Sequence, residues 1–316
     1  MDFYDVIKII LIACSPGIIF FLPSTMFTMV FIGVFHRQRP LYLDTDDLQG
    51  TVYYPYRDEL KELVIEAKKI EHEMVTIQSD DKLKLVGRYY DKHSVTTVLL
   101  VHGYQSTAYN NFSSWLKFYL SSGFNVLTID QRAHGLSEGK YTTTGCKEQY
   151  DLLNWISWID TNTAAENIFI YGISMGATTI GLASDKIKNP KVKGLIMESG
   201  FTSFYNELCD SKIKMFMRKS ALKYIVHCAK FLLKSDIKKS TTESLANTQI
   251  PVLFMHGTKD EEVAYSHVEA SYNACASEKS LVLVEGAGHT LCHLIGKENV
   301  ENKVKEFIAK YRIKEG

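Results

Sequence analysis

From residue 97 onward, short runs of β-branched and aliphatic residues alternate with segments of helical period. Thr97–Val101, Phe124–Ile129, Asn167–Tyr171, Val192–Met197, Pro251–Met255 and Leu281–Val284 read as buried strands. Asn110–Ser121, Lys147–Ile159, the segment from Met175, Val263–Cys275 and Val300–Tyr311 read as helices. Two parallel strands need a crossover of about a dozen residues or more, and a helix is its usual form. The alternation therefore predicts an α/β fold, with a mostly parallel sheet flanked by helices. Met74–Gln78 and Leu83–Tyr90, on either side of Ser79-Asp80-Asp81, predict a hairpin leading into it. This domain is expected to span 71–316, preceded by a connector over 41–70 with a helix at Arg57–Lys69.

The first forty residues belong to another class. Ile9 to Phe35 is a run of 27 residues without a charge. As a helix it would measure about 40 Å, more than the ~30 Å hydrocarbon core of a bilayer, so it is long enough to cross with tilt. Pro16 and Pro23 would kink it, which membrane helices tolerate. A cleaved signal peptide would have a shorter apolar region, a more basic start than the lone Lys8, and a small-residue cleavage site. Residues 1–40 are thus expected to be an uncleaved single-pass anchor. Arg37, Arg39 and Arg57 outnumber Lys8, which places the domain on the cytoplasmic side. The cysteines, at 14, 146, 209, 228, 275 and 292, show no framework spacing and agree with a reducing compartment. Asn111-Phe112-Ser113 is a glycosylation sequon and argues the other way.

Lys plus Arg number 36 and Asp plus Glu 36, so no general basic excess suggests a nucleic-acid partner. With 46 % apolar residues, the chain is no disordered tail either. The zero balance is uneven. Between the strands ending near Met197 and beginning at Pro251 lies an insertion, about 201–248, with nine Lys or Arg against four acids. Within it Lys219, Lys223, Lys230 and Lys234 share one side of a helical wheel, and Leu222, Ile225, Val226, Ala229, Leu232 and Leu233 fill much of the other. The bland expectation is a lid helix with its lysines in water. The sharper one is a surface for anionic lipid headgroups.

Residues with reactive side chains fall at strand ends, where ligands of open α/β sheets sit. Gly172-Ile173-Ser174-Met175-Gly176 joins a strand to a helix, the G-x-S-x-G elbow in its required setting. Such a turn lifts the serine Oγ above the sheet and admits only glycines at its flanks. A nucleophilic serine needs a base and the base an orienting acid. Asp260 follows the strand Pro251–Met255, and His289 follows Leu281–Val284 within Gly286-Ala287-Gly288-His289. Glu261, Glu262 and Glu198 rival Asp260 as the acid. His102-Gly103-Tyr104 ends an earlier strand, and Gly103 permits a turn that aims the Tyr104 N–H inward. That N–H, with the N–H of Met175, is expected to form the oxyanion hole, with Gln105 as the second-choice donor. His289 and His293 lie four apart, but a metal site needs more ligands, and no dinucleotide or phosphate loop is present.

These motifs resemble the α/β-hydrolase superfamily, in its serine-hydrolase branch with a His-Gly-x loop and a short cap, over 71–316. The order Ser174, Asp260, His289 agrees with it, and so does Asp130-Gln131-Arg132-Ala133-His134-Gly135-Leu136-Ser137, which is similar to the family's D-x-R-G-x-G-x-S loop. Ala133 stands where a glycine is usual, a departure that bears on loop conformation. The resemblance implies a structural role for that loop and an enzyme of the esterase, lipase, thioesterase or peptidase type. The favoured expectation is hydrolysis of a small-molecule carboxylic ester or thioester, acyl or lipid-like, through an acyl-enzyme on Ser174 with no cofactor or metal. A serine peptidase of the aminopeptidase type is the alternative, disfavoured by the basic cap. A non-catalytic hydrolase-fold binding protein is the third, disfavoured by the complete Ser174, His289 and Asp260 set.

Overall fold

The computed structural model describes residues 31–37, 43, 51–210 and 219–313, with backbone alone at 219–221. Eight strands form one sheet: β1 (Glu73–Gln78), β2 (Lys84–Tyr90), β3 (Thr96–Val101), β4 (Asn125–Asp130), β5 (Asn167–Ile173), β6 (Val192–Glu198), β7 (Val252–Gly257) and β8 (Lys279–Val284). Their spatial order is β1-β2-β4-β3-β5-β6-β7-β8. The pairs β1–β2 and β2–β4 are antiparallel, and every pair from β4 to β8 is parallel. The sheet is thus mostly parallel with an antiparallel hairpin at one edge, as the residue pattern requires.

Helices α1 (Arg57–Lys69), α2 (Ala108–Ser121), α3 (Glu148–Asn162), α4 (Met175–Ala183), α5 (Phe204–Asp210), α6 (Lys219–Leu232), α7 (Thr241–Leu245), α8 (Tyr265–Ala274) and α9 (Cys292–Tyr311) accompany the sheet, after a 3-10 turn at Tyr54–Tyr56. Side chains alternate along a strand, so each central strand feeds two cores. Leu99 and Val101 of β3, with Ile168 and Ile170 of β5, pack toward Leu152, Trp155 and Ile156 of α3 and Ala177 and Ile180 of α4. Val98 and Leu100, with Phe169 and Tyr171, pack toward Phe112, Trp115 and Tyr119 of α2 and Val304 and Phe307 of α9. Strands buried on both faces read as continuous apolar runs, which is why β3, β5 and β6 stand out in the sequence.

Two segments outside this sandwich also attach to it. Leu60 and Val64 of α1 pack with Leu43, Tyr53, Tyr56 and Tyr109, so residues 51–70 lie against α2. The insertion contributes α5, α6 and α7. Ile225, Cys228 and Ala229 of α6 are buried, and Lys223, Lys230 and Lys234 are exposed, which matches the amphipathic pattern. Leu232, assigned to the apolar side, is instead 60 % exposed beside Phe231 at 75 %. Helix α6 ends at Leu232, and the chain turns there, with Lys234 at φ 51°, so the helical wheel no longer holds.

The expected membrane span over 9–35 lies outside the described residues except for 31–35, which are helical. Among the described residues no helix is long and apolar enough to cross a membrane. Helix α9 starts at Cys292, eight positions before the expected Val300, and bends at Gly296, whose φ of −110° and ψ of 29° are not helical. A Cβ there would lie 2.6 Å from Val284 Cγ1, so the bend falls where α9 passes close to the end of β8.

Candidate active site

The carboxyl ends of β3, β5, β7 and β8, with β6 between β5 and β7, lie along one end of the parallel sheet and bring the singled-out residues together. Ser174 sits between β5 and α4 at φ 55° and ψ −120°, a region L-residues seldom occupy. Its flanks explain the elbow's glycines. A Cβ on Gly172 would come within 2.4 Å of the Gly176 carbonyl carbon, and one on Gly176 within 2.0 Å of the Val101 oxygen. Both are backbone contacts, so no side chain could move aside to admit even alanine.

Ser174 Oγ lies 3.0 Å from His289 Nε2, and His289 Nδ1 lies 2.8 Å from Asp260 Oδ2. The carboxylate accepts, so Nδ1 carries the proton and Nε2 is the free acceptor facing the hydroxyl. Asp260 is held in turn: its Oδ1 accepts the N–H groups of Glu262 at 3.0 Å and Val263 at 2.9 Å. Burial opposes ionisation of Asp260, but the His289 bond and the backbone N–H of Val263 hold its pKa below the ordinary carboxylate value. Burial likewise opposes charging of His289. The Asp260 bond and charge outweigh it and leave the imidazole pKa above 6.5.

The rival acids are placed differently. Glu262 is mostly exposed, and its carboxylate lies 3.9 Å from Nε2 rather than Nδ1. Glu198, fully buried at the end of β6, accepts from Tyr171 Oη and, at 3.3 Å, from the N–H of Cys292. Burial raises its pKa. It therefore braces the start of α9 beneath His289. His293 turns away, with its ring 4.1 Å from Trp115 and its Nε2 3.0 Å from Glu301.

The His102–Gln105 turn lies against the elbow: a Cβ on Gly103 would be 3.3 Å from Ser174 Cβ. Its Gly103 N–H donates to Asn111 Oδ1 at 2.7 Å, so the sequon asparagine helps to hold the turn. His102 Nδ1 donates to Gly103 O at 2.7 Å, and Nε2 accepts Gln131 N–H at 3.0 Å. Burial drives its pKa down to about 3, so the ring is a neutral spacer. His134 repeats the pattern: Nδ1 donates to Arg132 O at 2.9 Å and Nε2 accepts Gln105 N–H at 3.1 Å. The Gln105 N–H, the second-choice oxyanion donor, is thus committed to His134. Met175 opens α4, at the end of a helix where N–H groups lack intrahelical partners. Ala133 adopts φ 61°, so the alanine takes the left-handed conformation that the usual glycine would take freely.

Met175, Phe201 and Val263 form an apolar cluster around this point, with Tyr104 and Phe204 against it. Two neighbours, Tyr53 and Glu207, and the hydroxyl contact of Tyr104 carry no signal in the sequence. Tyr53 reaches from the connector to Thr290 Oγ1 at 2.9 Å, next to His289. Glu207 of α5 approaches the site, and burial lifts its pKa to about 7. Tyr104 Oη donates to the carbonyl of Val34.

The chain is similar to several known proteins. Residues 92–230 match the family described as serine aminopeptidase, S33, and residues 214–315 the family described as TAP-like protein. An uncharacterised protein, YqkD of Bacillus subtilis (strain 168), is 26 % identical over 217 residues, covering 67 % of this chain and 70 % of its own. The lysophosphatidylserine lipase ABHD12 of Danio rerio is 28 % identical over 208 residues, covering 62 % of this chain. The match spans about half of that relative, 52 % of its length. In three dimensions the Pyrococcus furiosus esterase Pf2001 superposes with a TM-score of 0.64 at 23 % identity, covering 78 % of this chain and 95 % of the esterase. At that identity the likeness speaks for the fold.

Proposed function

The chain belongs to the α/β-hydrolase superfamily, and from that premise we propose that it is a serine hydrolase of carboxylic esters or thioesters. The observation that carries this reading is the hydrogen-bonded line from Asp260 through His289 to Ser174. In the proposed mechanism Ser174 Oγ attacks the acyl carbon while His289 Nε2 takes its proton. The N–H groups of Tyr104 and Met175 bind the oxyanion, and His289 returns the proton to the departing alcohol or thiol. Water, deprotonated by the same Nε2, then releases the acid. Asp260 keeps the tautomer fixed and stabilises the transient imidazolium. Similarity to the lysophosphatidylserine lipase supports a lipid-derived ester.

The match to the serine aminopeptidase family favours peptide cleavage as a second reading. A panel of p-nitrophenyl esters of rising chain length beside aminoacyl anilides separates the two. The expected result is ester turnover at least about 100-fold above anilide turnover, a gap of roughly 2.7 kcal/mol in barrier. Faster anilide cleavage would replace the ester reading with the peptidase one.

We further propose that the part of the charge-free stretch before Phe31 anchors the chain in a membrane, since Phe31 and Phe35 themselves are buried against the domain, with the domain on the cytoplasmic side and the cap next to the bilayer. Phe31 and Phe35, at the end of the charge-free stretch, lie against α6, whose Lys223 and Lys230 are exposed, as is Lys234 just beyond it. The five described cysteines are unpaired, in keeping with a reducing compartment. Each lysine near an anionic surface is worth about 1 kcal/mol. Hydrolysis of a lipid ester in mixed micelles should therefore rise with anionic lipid content. Combined Lys223→Glu, Lys230→Glu and Lys234→Glu should lower that rise at least about tenfold and leave the rate in neutral micelles unchanged. An identical response of both proteins to anionic lipid would refute the headgroup role.

A further inference from the structure

The end of the charge-free stretch is seated in the body of the protein. Phe31 and Phe35 are buried beside Ile225, Ala229 and Leu233, and the Phe35 ring meets Phe204 edge-on at 5.7 Å. Beyond this helical turn the chain runs along residues 140–142. Thr142 N–H donates to Phe35 O, and Arg37 N–H to Lys140 O, each at 2.8 Å. His36 and Tyr141 form an antiparallel bridge. The Arg37 guanidinium then donates to the carbonyls of Ser137, at 2.7 Å, and Gly135. Those carbonyls belong to the loop after β4 that also carries His134.

Val34 lies at the C-terminal end of the helical turn, where carbonyls lack intrahelical partners. Tyr104 Oη donates to that carbonyl, and the same oxygen accepts from Gln105 Nε2 at 2.8 Å. Gln105 stands at φ 48°, a conformation that must be held in place. Its N–H is held by His134 on one side, and its side chain reaches Val34 through the Tyr104 hydroxyl on the other. We propose that residues 34–37 are a positioning strap for the oxyanion loop: the Tyr104 N–H is aimed at the tetrahedral intermediate while Val34 and Arg37 hold the Tyr104 hydroxyl and the His134 loop. The proposal rests on the hydrolase reading above. It makes the junction between anchor and domain part of the catalytic geometry, although none of its own side chains touches the reacting atoms.

The test uses the full chain in detergent micelles. Tyr104→Phe keeps the backbone N–H and removes only the hydroxyl that grips Val34. Arg37→Ala releases the other end, and Arg37→Lys retains a donor for the same carbonyls. With p-nitrophenyl butyrate, Tyr104→Phe and Arg37→Ala should each lower kcat about tenfold with KM changed less than about twofold, as expected for a displaced oxyanion donor. A trifluoromethyl ketone, whose hemiketal oxyanion uses the same donors, should weaken by the same factor, and Arg37→Lys should recover part of both losses. A kcat within about twofold of wild type in both variants would overturn the strap, as would lost kcat with undiminished ketone binding. Should Arg37→Ala fail to fold, the near-isosteric Tyr104→Phe decides alone. Fluorophosphonate labelling of the wild type runs in parallel. No labelling would overturn the hydrolase reading and the strap with it, whereas normal labelling with an unaltered Tyr104→Phe would overturn the strap alone.

Discussion

Ser174→Ala is expected to lower ester turnover by at least about 10⁴-fold while the folded state is retained. The side chain lost is one hydroxyl, whose partner is His289 Nε2 at 3.0 Å. Alanine has a Cβ like serine, so the left-handed φ of 55° costs it little more than it costs serine. The neighbouring close contacts fall on Gly172 and Gly176, which stay unchanged. Circular dichroism and thermal melting should therefore overlay those of the wild type, with fluorophosphonate labelling absent. Retained turnover, or equal labelling of the variant, would remove Ser174 from the mechanism.

Asp260→Asn should be nearly as severe, with kcat lower by roughly 10³–10⁴-fold. The reason is the tautomer. An asparagine amide in place of Oδ2 can donate to His289 Nδ1, which would leave the proton on Nε2, facing Ser174. The pH profile supplies a second signature. His289 acts as a base only when neutral, and its pKa is raised, so wild-type activity should be lost as pH falls through a value above 6.5. In the variant the raising influence of Asp260 is gone and burial pushes the imidazole pKa down, so the acid limb of any residual activity should move to lower pH. A profile that keeps its acid limb in place would show that another group titrates there. Glu262→Gln then becomes the informative variant, because that carboxylate also lies within 4 Å of the ring, at 3.9 Å from Nε2.

Much of this site is legible in the residues because the fold confines chemistry to strand ends. Short apolar runs mark where β3, β5, β7 and β8 stop, and Gly103, Ser174, Asp260 and His289 are the next unusual residues. The choice of Asp260 over Glu261 and Glu262 follows the same logic: the first acid past a parallel strand is the one that can turn back over the sheet. What the residues conceal is contact between distant segments made by groups of no special character. Val34 contributes a carbonyl oxygen, which every residue has. Asn111 reads as a sequon, yet its side chain accepts the Gly103 N–H. Leu232 fits the apolar side of a helical wheel but is exposed because α6 ends there. The early start of α9 was hidden by Gly296, whose non-helical torsions mark a bend within the helix rather than its beginning.

Ser174 and His289 are 115 residues apart in the chain, and β8, which delivers His289, pairs with β7 alone at the edge of the sheet. Contacts of such long sequence separation carry a large loop-closure cost during folding and tend to form late. The proposed triad is therefore complete only once the segments bearing Ser174 and His289 have met, although β7 and β8 themselves pair across the short α8 crossover, with Val252 opposite Lys279. A chain whose central strands and helices are already in place, but whose edge strand has not docked, has a serine without a base. During refolding, chemical competence should lag behind secondary structure, and the nucleophile stays harmless until the domain around it is complete.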